Sequence, residues 1–446
     1  MTATRSFCAA IVALVVLCVT PLPVMSDNVL SGMIERDYSP QADSLTTVLV
    51  RKFMNPSKGT FWAVPNNQPN RESETTYIYW QQAHAMDVLV YAYERTKDTN
   101  PNQAETYKRS IGLWYKNHAN NWYHDSNDAT GFLNTYTDDM CWICLTLLHI
   151  ADALDDEQYA QTARTVFDSY IAPRGWADGN GFWGLPWKLD DRGRNACTNA
   201  PGCLVACKLY ERYADEYYRQ VAIDIYNYQA NEMKTKLNND GRVEDPPLTY
   251  TQGTFGEACR HLFHITGDDA YMTMATKVIH YLCTSTRCVD RGILRHEGTS
   301  MDQSIFKAVA VPYIANMALD EDVPLTYRRV FTRFLQNNAK KLWANLNLDK
   351  YPATYCNYYW GEPVDESAVP SMGAMASGCS LMESMARVAL RLLGDESAIQ
   401  AVEIAAPADA RGVYSIDGRL MDRHADSDRP HRSGIYIVGN RKIVVK

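Results

Sequence analysis

One local pattern recurs along this chain: an acidic or polar turn, then a tyrosine, then a small or aliphatic residue four positions later. A helical pattern that returns at a similar interval is typical of an array of repeated helical units. The acidic residues favour a helix start, because the positive end of the helix dipole stabilises them. The four copies lie about fifty to sixty residues apart, in AETYKRSI with Tyr107, DDEQYAQTA with Tyr159, ADEYYRQVA with Tyr218 and GDDAYMTMA with Tyr271.

A second, more apolar helical segment precedes each copy, so the chain is organised as helical hairpins. These segments are YWQQAHAMDVLVYAYERT, TDDMCWICLTLLHIADAL, NACTNAPGCLVACKLYERY and TYTQGTFGEACRHLFHIT. Two weaker pairs follow: SIFKAVAVPYIANMAL with YRRVFTRFLQNNAKKLW, and MGAMASGCSLMESMARVALRLL with SAIQAVEIA. Helices that are apolar on most faces must be buried by amphipathic partners, so six pairs predict an all-α fold of two concentric rings, an (α/α)6 toroid. An open helical solenoid is the alternative, although solenoids keep tighter periods.

The two ends of the chain differ from this helical body. Arg5, an apolar run over residues 7–19, two prolines and the small residue Ser26 are typical of a signal peptide. From about residue 405 the sequence turns polar, and SGIYIVGNRKIVVK predicts a β-hairpin with its turn at Gly439 and Asn440. We therefore predict a signal peptide over 1–26, one (α/α)6 domain over 27–405, and a tail over 406–446 that is either a sorting element or a plain edge hairpin. The protein is expected to be secreted or exported, to the periplasm or the cell surface, without a membrane span.

Charge and aromatic content narrow the partners. A net charge of -8 and a pI near 5.7 argue against nucleic acids and anionic membranes, which require basic patches. The 28 Tyr and 10 Trp outnumber the 11 Phe, which favours surfaces that combine an apolar face with a polar edge, such as carbohydrate clefts. The loop GWADGNGFWGLPWKLDDRGRN over 175–195 is too aromatic for a linker and is expected to shape such a cleft.

Cysteines give a weaker signal. Cys141 and Cys144 have C-x-x-C spacing but lie in an apolar helical run, so we interpret them as core thiols. Two further pairs, Cys283 with Cys288 and Cys197 with Cys203, flank expected loops and could form disulfides in an oxidising compartment. The sequence leaves the pairing and the oligomeric state open.

The candidate chemistry lies at Asp138 and Asp139, which begin an inner helix and would stand at the rim of a central cavity. Such a pair commonly serves only to cap a helix and compensate its dipole. Two crowded acids also raise the pKa of one of them, which provides both the proton donor and the ionised group that glycoside hydrolysis needs. Since adjacent residues reach the short carboxyl separation of retaining enzymes more easily than the wider inverting gap, retention is predicted.

The chain also resembles glycoside hydrolase family 76, the endo-α-1,6-mannanases. The resemblance runs from about Tyr79 to about Tyr313, through YWQQAHAMD, TYTDDMCW, GFWGLPW, NACTNAPG, TYTQGTFGEA, TGDDAYMTMA and IFKAVAV. It implies that Asp138 is the nucleophile and Asp139 the acid/base, acting on an α-mannan backbone. The chain departs from the family at Thr251, where asparagine is usual, and at Ala308, where glycine is frequent.

Further candidate residues are expected to bind substrate, each with packing as the alternative. Tyr136, Trp183, Trp187 and Tyr250 could contact sugar rings, whereas Asn195, Asn199, Gln252 and His84 could hydrogen-bond sugar hydroxyls. Neither a close H-x-x-x-H pair nor a glycine-rich phosphate loop is present, so no metal or cofactor is expected.

Three other functions stay open on sequence grounds. Another enzyme on the same toroid, such as an uronic-acid hydrolase or a sugar epimerase, is one alternative. Arg192 and Arg194 favour it, since cations would bind a substrate carboxylate. A transglycosylase would use the same covalent intermediate, and a non-catalytic mannan-binding protein would keep the fold alone. Endo or exo action and the tolerance of side branches are not encoded in any motif found.

Overall fold

The computed structural model describes residues 29–69, 79–118, 130–232, 240–243 and 248–404, together with four strands between 413 and 445. The expected signal peptide over 1–26 lies outside these residues. The described part of the chain is dominated by twelve long α-helices. They are α1 Ser39–Phe53, α2 Tyr79–Thr96, α3 Pro101–Asn117, α4 Thr137–Leu154, α5 Glu157–Val166, α6 Ala196–Tyr213, α7 Glu216–Asn227, α8 Thr249–Thr266, α9 Asp269–Thr284, α10 Met301–Leu319, α11 Leu325–Ala344 and α12 Met372–Ile404.

The even-numbered helices form a closed inner ring. Each packs on the next in the order α2, α4, α6, α8, α10 and α12, and α12 packs back on α2. The odd-numbered helices lie outside, with α3 on α2, α5 on α4, α7 on α6, α9 on α8, α11 on α10 and α1 on α12. The predicted (α/α)6 toroid is therefore confirmed.

The sequence pattern explains which helix lies in which ring. Inner helix α4 buries thirteen of its residues on all sides. Outer helix α5 buries only Tyr159, Ala160, Ala163 and Val166, which form one stripe. The tyrosine of the recurring pattern is buried in this stripe in α3, α5 and α7, and it is partly buried in α9. The pattern thus marks where each outer helix packs onto the inner ring.

Side-chain caps fix the starts of these outer helices. Asp156, Asp215 and Asp268 precede α5, α7 and α9, and each carboxylate accepts a backbone N–H two residues later. Asn100 caps α3 in a similar way, with Pro101 as the first helical residue. Each such cap contributes about 1 kcal/mol to helix stability.

The sixth hairpin differs from the prediction. SAIQAVEIA does not form an outer helix, because Met372–Ile404 is one continuous helix. Residues 390–404 contain no proline, and a Cβ at Gly394 would meet open space, so nothing in this segment interrupts the helix. The sixth outer position is taken by α1, whose Thr46 hydroxyl donates to Glu383 on α12 over 2.7 Å.

Strands are few. Two short antiparallel pairs lie in loops: β1 Trp176–Ala177 with β2 Trp183–Gly184, and β3 Val289–Asp290 with β4 Ile293–Leu294. The tail contains β5 Val413–Ser415, β6 Leu420–Asp422, β7 Gly434–Val438 and β8 Arg441–Val445, in one sheet of order β6-β5-β7-β8. The predicted hairpin is the β7–β8 pair, while its turn at Gly439 and Asn440 lies outside the described residues. The division of the chain into 1–26, 27–405 and 406–446 stays a prediction.

The ten cysteines of the described chain form no disulfide bonds. The suggested link between Cys197 and Cys203 is wrong, because both lie on α6. Six helical residues separate their Cα atoms by about 9 Å, more than a disulfide spans. The suggested Cys283–Cys288 link is also absent, and burial raises the pKa of both thiols. Cys141 and Cys144 are buried in the core, as predicted. Among the described helices, none has the length and apolar character needed to cross a membrane.

Candidate active site

The first turns of several inner helices meet at one mouth of the ring. Asp138 on α4 contacts the thiol of Cys197 on α6, with Sγ 3.5 Å from Oδ2. Asp302 on α10 accepts a hydrogen bond from the indole of Trp80 on α2, over 2.9 Å. The amino-terminal ends of α2, α4, α6 and α10 therefore surround a common space, where the positive ends of the helix dipoles favour carboxylates.

Asp138 is the better stabilised acid of the pair. Its Oδ2 accepts a hydrogen bond from the Trp187 indole over 3.2 Å, in addition to the Cys197 thiol. Burial raises the pKa of Asp138 to about 7, against the opposing effect of these donors and of backbone N–H groups at the start of α4. Near neutral pH this carboxyl group can therefore be ionised in a substantial fraction of molecules.

Asp139 is in a less favourable place for a negative charge. Burial raises its pKa well above the ordinary range, and the negative charges of Asp138 and Asp302 raise it further. Both aspartates keep part of their side chains open at the mouth, while the surrounding protein desolvates their carboxyl groups. The pair thus consists of one acid that ionises and one that holds its proton.

The aromatic loop over 175–195 lies across the start of α4. The backbone N–H of Thr137 donates to the carbonyl of Trp187 over 2.8 Å, and the N–H of Leu189 donates to the carbonyl of Thr135 over 2.9 Å. Arg174 donates hydrogen bonds to the carbonyls of Asn134 and Thr135, so it fixes the backbone just before α4. The loop therefore brings the Trp187 indole to Asp138 while 37% of that side chain stays exposed.

Aromatic rings form the floor of the mouth. Trp80 lies 6.3 Å from Trp142 and 6.2 Å from Phe306, centroid to centroid, and Phe306 stacks on Tyr250 at 4.3 Å. His84 packs between the two indoles, 5.4 Å from Trp80 and 5.1 Å from Trp142. Four inner helices contribute to this aromatic surface near the two aspartates, which suits the faces of sugar rings.

Some predicted substrate contacts come together at this mouth. Tyr136 precedes the first residue of α4, and its ring meets Trp187 edge to face at 5.3 Å. Tyr250 and His84 belong to the floor, with 8% and 4% of their surfaces exposed. Trp183 lies deeper in the loop, where its half-buried ring packs over Gly175.

Three amides that were predicted to bind sugars make hydrogen bonds within the protein. Asn195 caps α6 by accepting the N–H of Thr198 over 3.0 Å. Asn199 is fully buried, accepts the N–H of Leu185 and donates to the Leu185 carbonyl, so it fastens the aromatic loop to α6. Gln252 is also fully buried and donates to the carbonyl of Val243. Neither Asn199 nor Gln252 has exposed surface here, and their binding of sugar hydroxyls stays a prediction.

The two arginines that favoured an acidic substrate pack within the loop. Arg194 donates to the Asp178 carboxylate over 2.8 Å, and its guanidinium lies 3.9 Å from the Trp176 ring. Arg192 lies over the same ring at 4.3 Å. Arg194 is thus occupied by the protein itself, which weakens the case for binding a substrate carboxylate.

Several site residues were not singled out from the sequence: Trp80, Trp142, Arg174, Cys197, Asp302 and Phe306. A signal for Asp302 existed, because it is the second residue of α10 just as Asp138 is the second residue of α4. Comparing the first turns of all inner helices would have found it. Cys197 and Arg174 had no such signal, since their roles depend on the path of the loop.

One group of side chains in the described chain has the arrangement of a metal site. His264, Asp320 and Asp322 lie at the carboxyl ends of α8 and α10, remote in sequence from the paired aspartates. The guanidinium of Arg260 donates to Oδ2 of Asp320, the oxygen that also meets His264. A protein cation already neutralises this carboxylate, so the cluster is better explained as an ion-pair network.

Comparison with known proteins identifies relatives of this architecture. A family model described as glycosyl hydrolase family 76 matches residues 41–390. No curated protein sequence matches the chain. The fold is similar to that of an α-1,6-mannanase from Salegentibacter sp. HEL1_6, with 26% identity and a TM-score of 0.67 over 79% of this chain and 100% of that one.

Two further solved structures inform the comparison. An inactive variant of the Salegentibacter mannanase, with two consecutive aspartates replaced by alanine, was solved in complex with α-1,6-mannotetrose; it is 25% identical, with a TM-score of 0.66 over 79% of this chain and 100% of that one. A family 76 mannosidase of Bacteroides thetaiotaomicron is 15% identical, with a TM-score of 0.61 over 81% of this chain and 99% of that one. At that identity the likeness concerns the fold alone.

Proposed function

The chain belongs to glycosyl hydrolase family 76, and we propose that it is an endo-acting, retaining hydrolase of α-1,6-mannosidic bonds in an α-mannan backbone. One observation carries this proposal: two adjacent aspartates at the mouth of the ring have unequal surroundings, since within the described part of the chain only Asp138 accepts hydrogen bonds from side chains. Two aspartates that only capped a helix would not need unequal surroundings. A double displacement does need them, because one acid must be ionised while the other holds a proton.

Asp138 is the proposed nucleophile. The donors from Trp187 and Cys197 and the amino-terminal end of α4 stabilise its carboxylate form. Asp139 is the proposed acid/base, because burial and its two acidic neighbours hold its proton at neutral pH. The assignment follows from these surroundings, because Asp138 has the donors that stabilise a carboxylate and Asp139 has the acidic neighbours.

The proposed reaction proceeds in two displacement steps. In the first, a carboxylate oxygen of Asp138 forms a bond to the anomeric carbon, the glycosidic C–O bond breaks, and Asp139 gives its proton to the departing oxygen. In the second, Asp139 takes a proton from water as the water oxygen attacks the same carbon and releases Asp138. Two displacements at one carbon leave its configuration unchanged.

The floor of the mouth supports a neutral sugar as substrate. Trp80, Trp142, Tyr250 and Phe306 provide apolar faces, and Tyr136 and Trp187 stand at the rim beside Asp138. We propose that Tyr136, Trp187 and Tyr250 contact the mannose rings, while His84 supports Trp80 and Trp142 from within. The relative solved with α-1,6-mannotetrose is inactive through replacement of two consecutive aspartates, which supports equivalent roles for Asp138 and Asp139 here.

The cellular place of this activity is also a proposal. The sequence of residues 1–26 favours export, and a polymeric substrate such as mannan would be met outside the cytoplasm. Residues 27–405 would then form the catalytic domain, and the β-sheet of the tail would serve sorting or attachment. Amino-terminal sequencing of the exported protein tests the cleavage site.

Anomer analysis and product sizing test the proposed reaction. Wild-type protein acting on linear α-1,6-mannan is expected to release α-configured reducing ends first, seen by proton NMR, as a ladder of short oligosaccharides. Initial β-configured ends would contradict retention, and mannose as the sole early product would contradict endo action. Longer oligosaccharides without net bond cleavage would instead indicate a transglycosylase.

A further inference from the structure

A third carboxylate, Asp302, stands at the same mouth as the two aspartates. It lies in the first turn of α10, and its Oδ1 accepts hydrogen bonds from Trp80 Nε1 over 2.9 Å and Gln81 Nε2 over 2.5 Å. Both donors belong to α2, so two inner helices fix the position of this oxygen. An acid that only compensated the dipole of its own helix would not need hydrogen-bond donors from another helix. Asp302 has two such donors, so its position serves more than the dipole of α10.

The rings of the floor connect Asp302 to Asp139. Trp142 follows Asp139 by three residues, so both side chains lie on the same face of α4. The Trp142 ring lies 6.3 Å from Trp80, and the Trp80 indole donates to Asp302. The Trp80 side chain therefore lies between Asp302 and the face of α4 that carries Asp139.

The other charged groups around this part of α4 belong to several elements. The outer helix α5 packs on the other side, where the Cys144 thiol donates to the carbonyl of Ala163. The ammonium group of Lys188 lies over the Trp187 ring, 5.5 Å from its centroid. Among the described residues, the titratable and charged groups near Asp139 are Asp138 on its own helix, His84 on α2, Cys197 on α6, Lys188 in the loop, Asp302 on α10 and Arg174, whose guanidinium donates to the Thr137 hydroxyl over 3.2 Å.

We propose that Asp302 is a positioning residue that keeps Asp139 in its proton-donating form, by holding a second negative charge beside the aspartate pair. This inference rests on the proposed function, since it concerns the acid of that reaction. Before the covalent intermediate forms, the charge of Asp302 adds to that of Asp138 in opposing the ionisation of Asp139.

The pH dependence of kcat/KM on linear α-1,6-mannan tests this role. The alkaline limb reports loss of the proton from Asp139 in the free enzyme. Asp302→Asn removes the charge and should move this limb to lower pH by about half a unit, the effect typical of a solvent-exposed charge. Asp302→Glu restores the charge and should return the limb to its wild-type position. Asp302→Ser keeps a hydroxyl acceptor near Trp80 and Gln81 and provides a second neutral variant.

Asp269→Asn is the matched control, because Asp269 is also an exposed acid in the first turn of a helix, the outer helix α9. This substitution removes the same charge and the same dipole interaction at a position that does not face the mouth. The alkaline limb of kcat/KM for Asp269→Asn should therefore coincide with that of wild type. Melting temperatures verify that all variants are folded. If both neutral variants keep the wild-type limb, or lose kcat/KM equally at all pH values, the proposed role of Asp302 is wrong. A wild type that releases no sugar would contradict the proposed hydrolase itself, which is a separate outcome.

Discussion

The indole nitrogen of Trp187 donates a hydrogen bond to Oδ2 of Asp138 over 3.2 Å, so the aromatic loop and the first turn of α4 are joined at the proposed nucleophile. The loop reaches this position through backbone hydrogen bonds to residues 135 and 137. The contact stabilises the ionised form of Asp138.

Trp187→Phe should therefore weaken catalysis at neutral pH. Without this donor the pKa of Asp138 rises further above its present value of about 7, and the acid limb of kcat/KM moves to higher pH. Loss of a hydrogen bond to a charged group predicts a decrease in kcat/KM of about tenfold at pH 7. Trp343→Phe, on outer helix α11, is the control for loss of an indole and should leave the profile unchanged. An unmoved acid limb in Trp187→Phe would show that the contact does not tune Asp138.

Asp139→Asn should stabilise the fold while abolishing activity. The folded protein holds a proton on Asp139 at pH values where the unfolded chain has released it, because its pKa is raised only in the fold. Unfolding then releases a proton, so this group destabilises the protein increasingly as pH rises above about 4. Asparagine removes the effect, and we expect a Tm increase of about 3 °C at pH 7 that vanishes near pH 4.

Differential scanning calorimetry at both pH values measures this change. Asp269→Asn removes a first-turn acid from α9 whose surroundings are open to solvent, and it should give no Tm increase at either pH. A variant at Asp139 that is less stable than wild type at pH 7 would indicate that the carboxyl group serves the fold.

Cys197 should be the thiol that reacts first in the folded protein. It is partly exposed beside Asp138, whereas the other nine cysteines of the described chain are buried. Alkylation with iodoacetamide places a new group against the nucleophile, so activity should fall in step with modification of this one residue by mass spectrometry. Cys197→Ser keeps a hydrogen-bond donor and should resist inactivation with kcat/KM within about threefold of wild type. Inactivation of Cys197→Ser at the wild-type rate would place the sensitive thiol elsewhere.

Glu383 should be essential for closing the ring. It is buried, accepts two hydrogen bonds from Arg95 on α2 and one from Thr46 on α1, and so joins three helices where the first and last meet. Glu383→Gln leaves the Arg95 guanidinium partly uncompensated and should lower the free energy of unfolding by about 3 kcal/mol, measured by urea denaturation. Glu366→Gln removes an exposed ion pair with Lys350 and should leave the unfolding curve unchanged. Equal effects of the two substitutions would contradict the role of Glu383.

The fold was largely predictable because its signals are local. The four tyrosine repeats mark outer helices, and the apolar segments before them mark inner ones. The sixth outer helix was missed because α1 and α12 are neighbours in space but lie at opposite ends of the chain. Such closure depends on contacts like that of Thr46 with Glu383, which leave no periodic trace in the sequence.

The candidate site was predictable only in part. Asp138 and Asp139 could be found because they begin an apolar inner helix and because a family resemblance surrounds them. The roles of Asn199 and Gln252 could not, since a buried amide and a sugar-binding amide look alike in sequence. Asp302 acquires its place only when α10 and α2 come together, across more than two hundred residues of chain.

The most direct test is release of reducing sugar from linear α-1,6-mannan by wild type, Asp138→Asn, Asp139→Asn and the control Asp268→Asn, at equal concentrations of folded protein. Asp268 and Asp269 form another Asp-Asp pair at a helix start, so the control removes a carboxylate from such a pair away from the mouth. We predict short mannooligosaccharides from wild type and Asp268→Asn, and a loss of at least about a thousandfold in both Asp138→Asn and Asp139→Asn. No release by folded wild type, or comparable release by either site variant, would contradict the account.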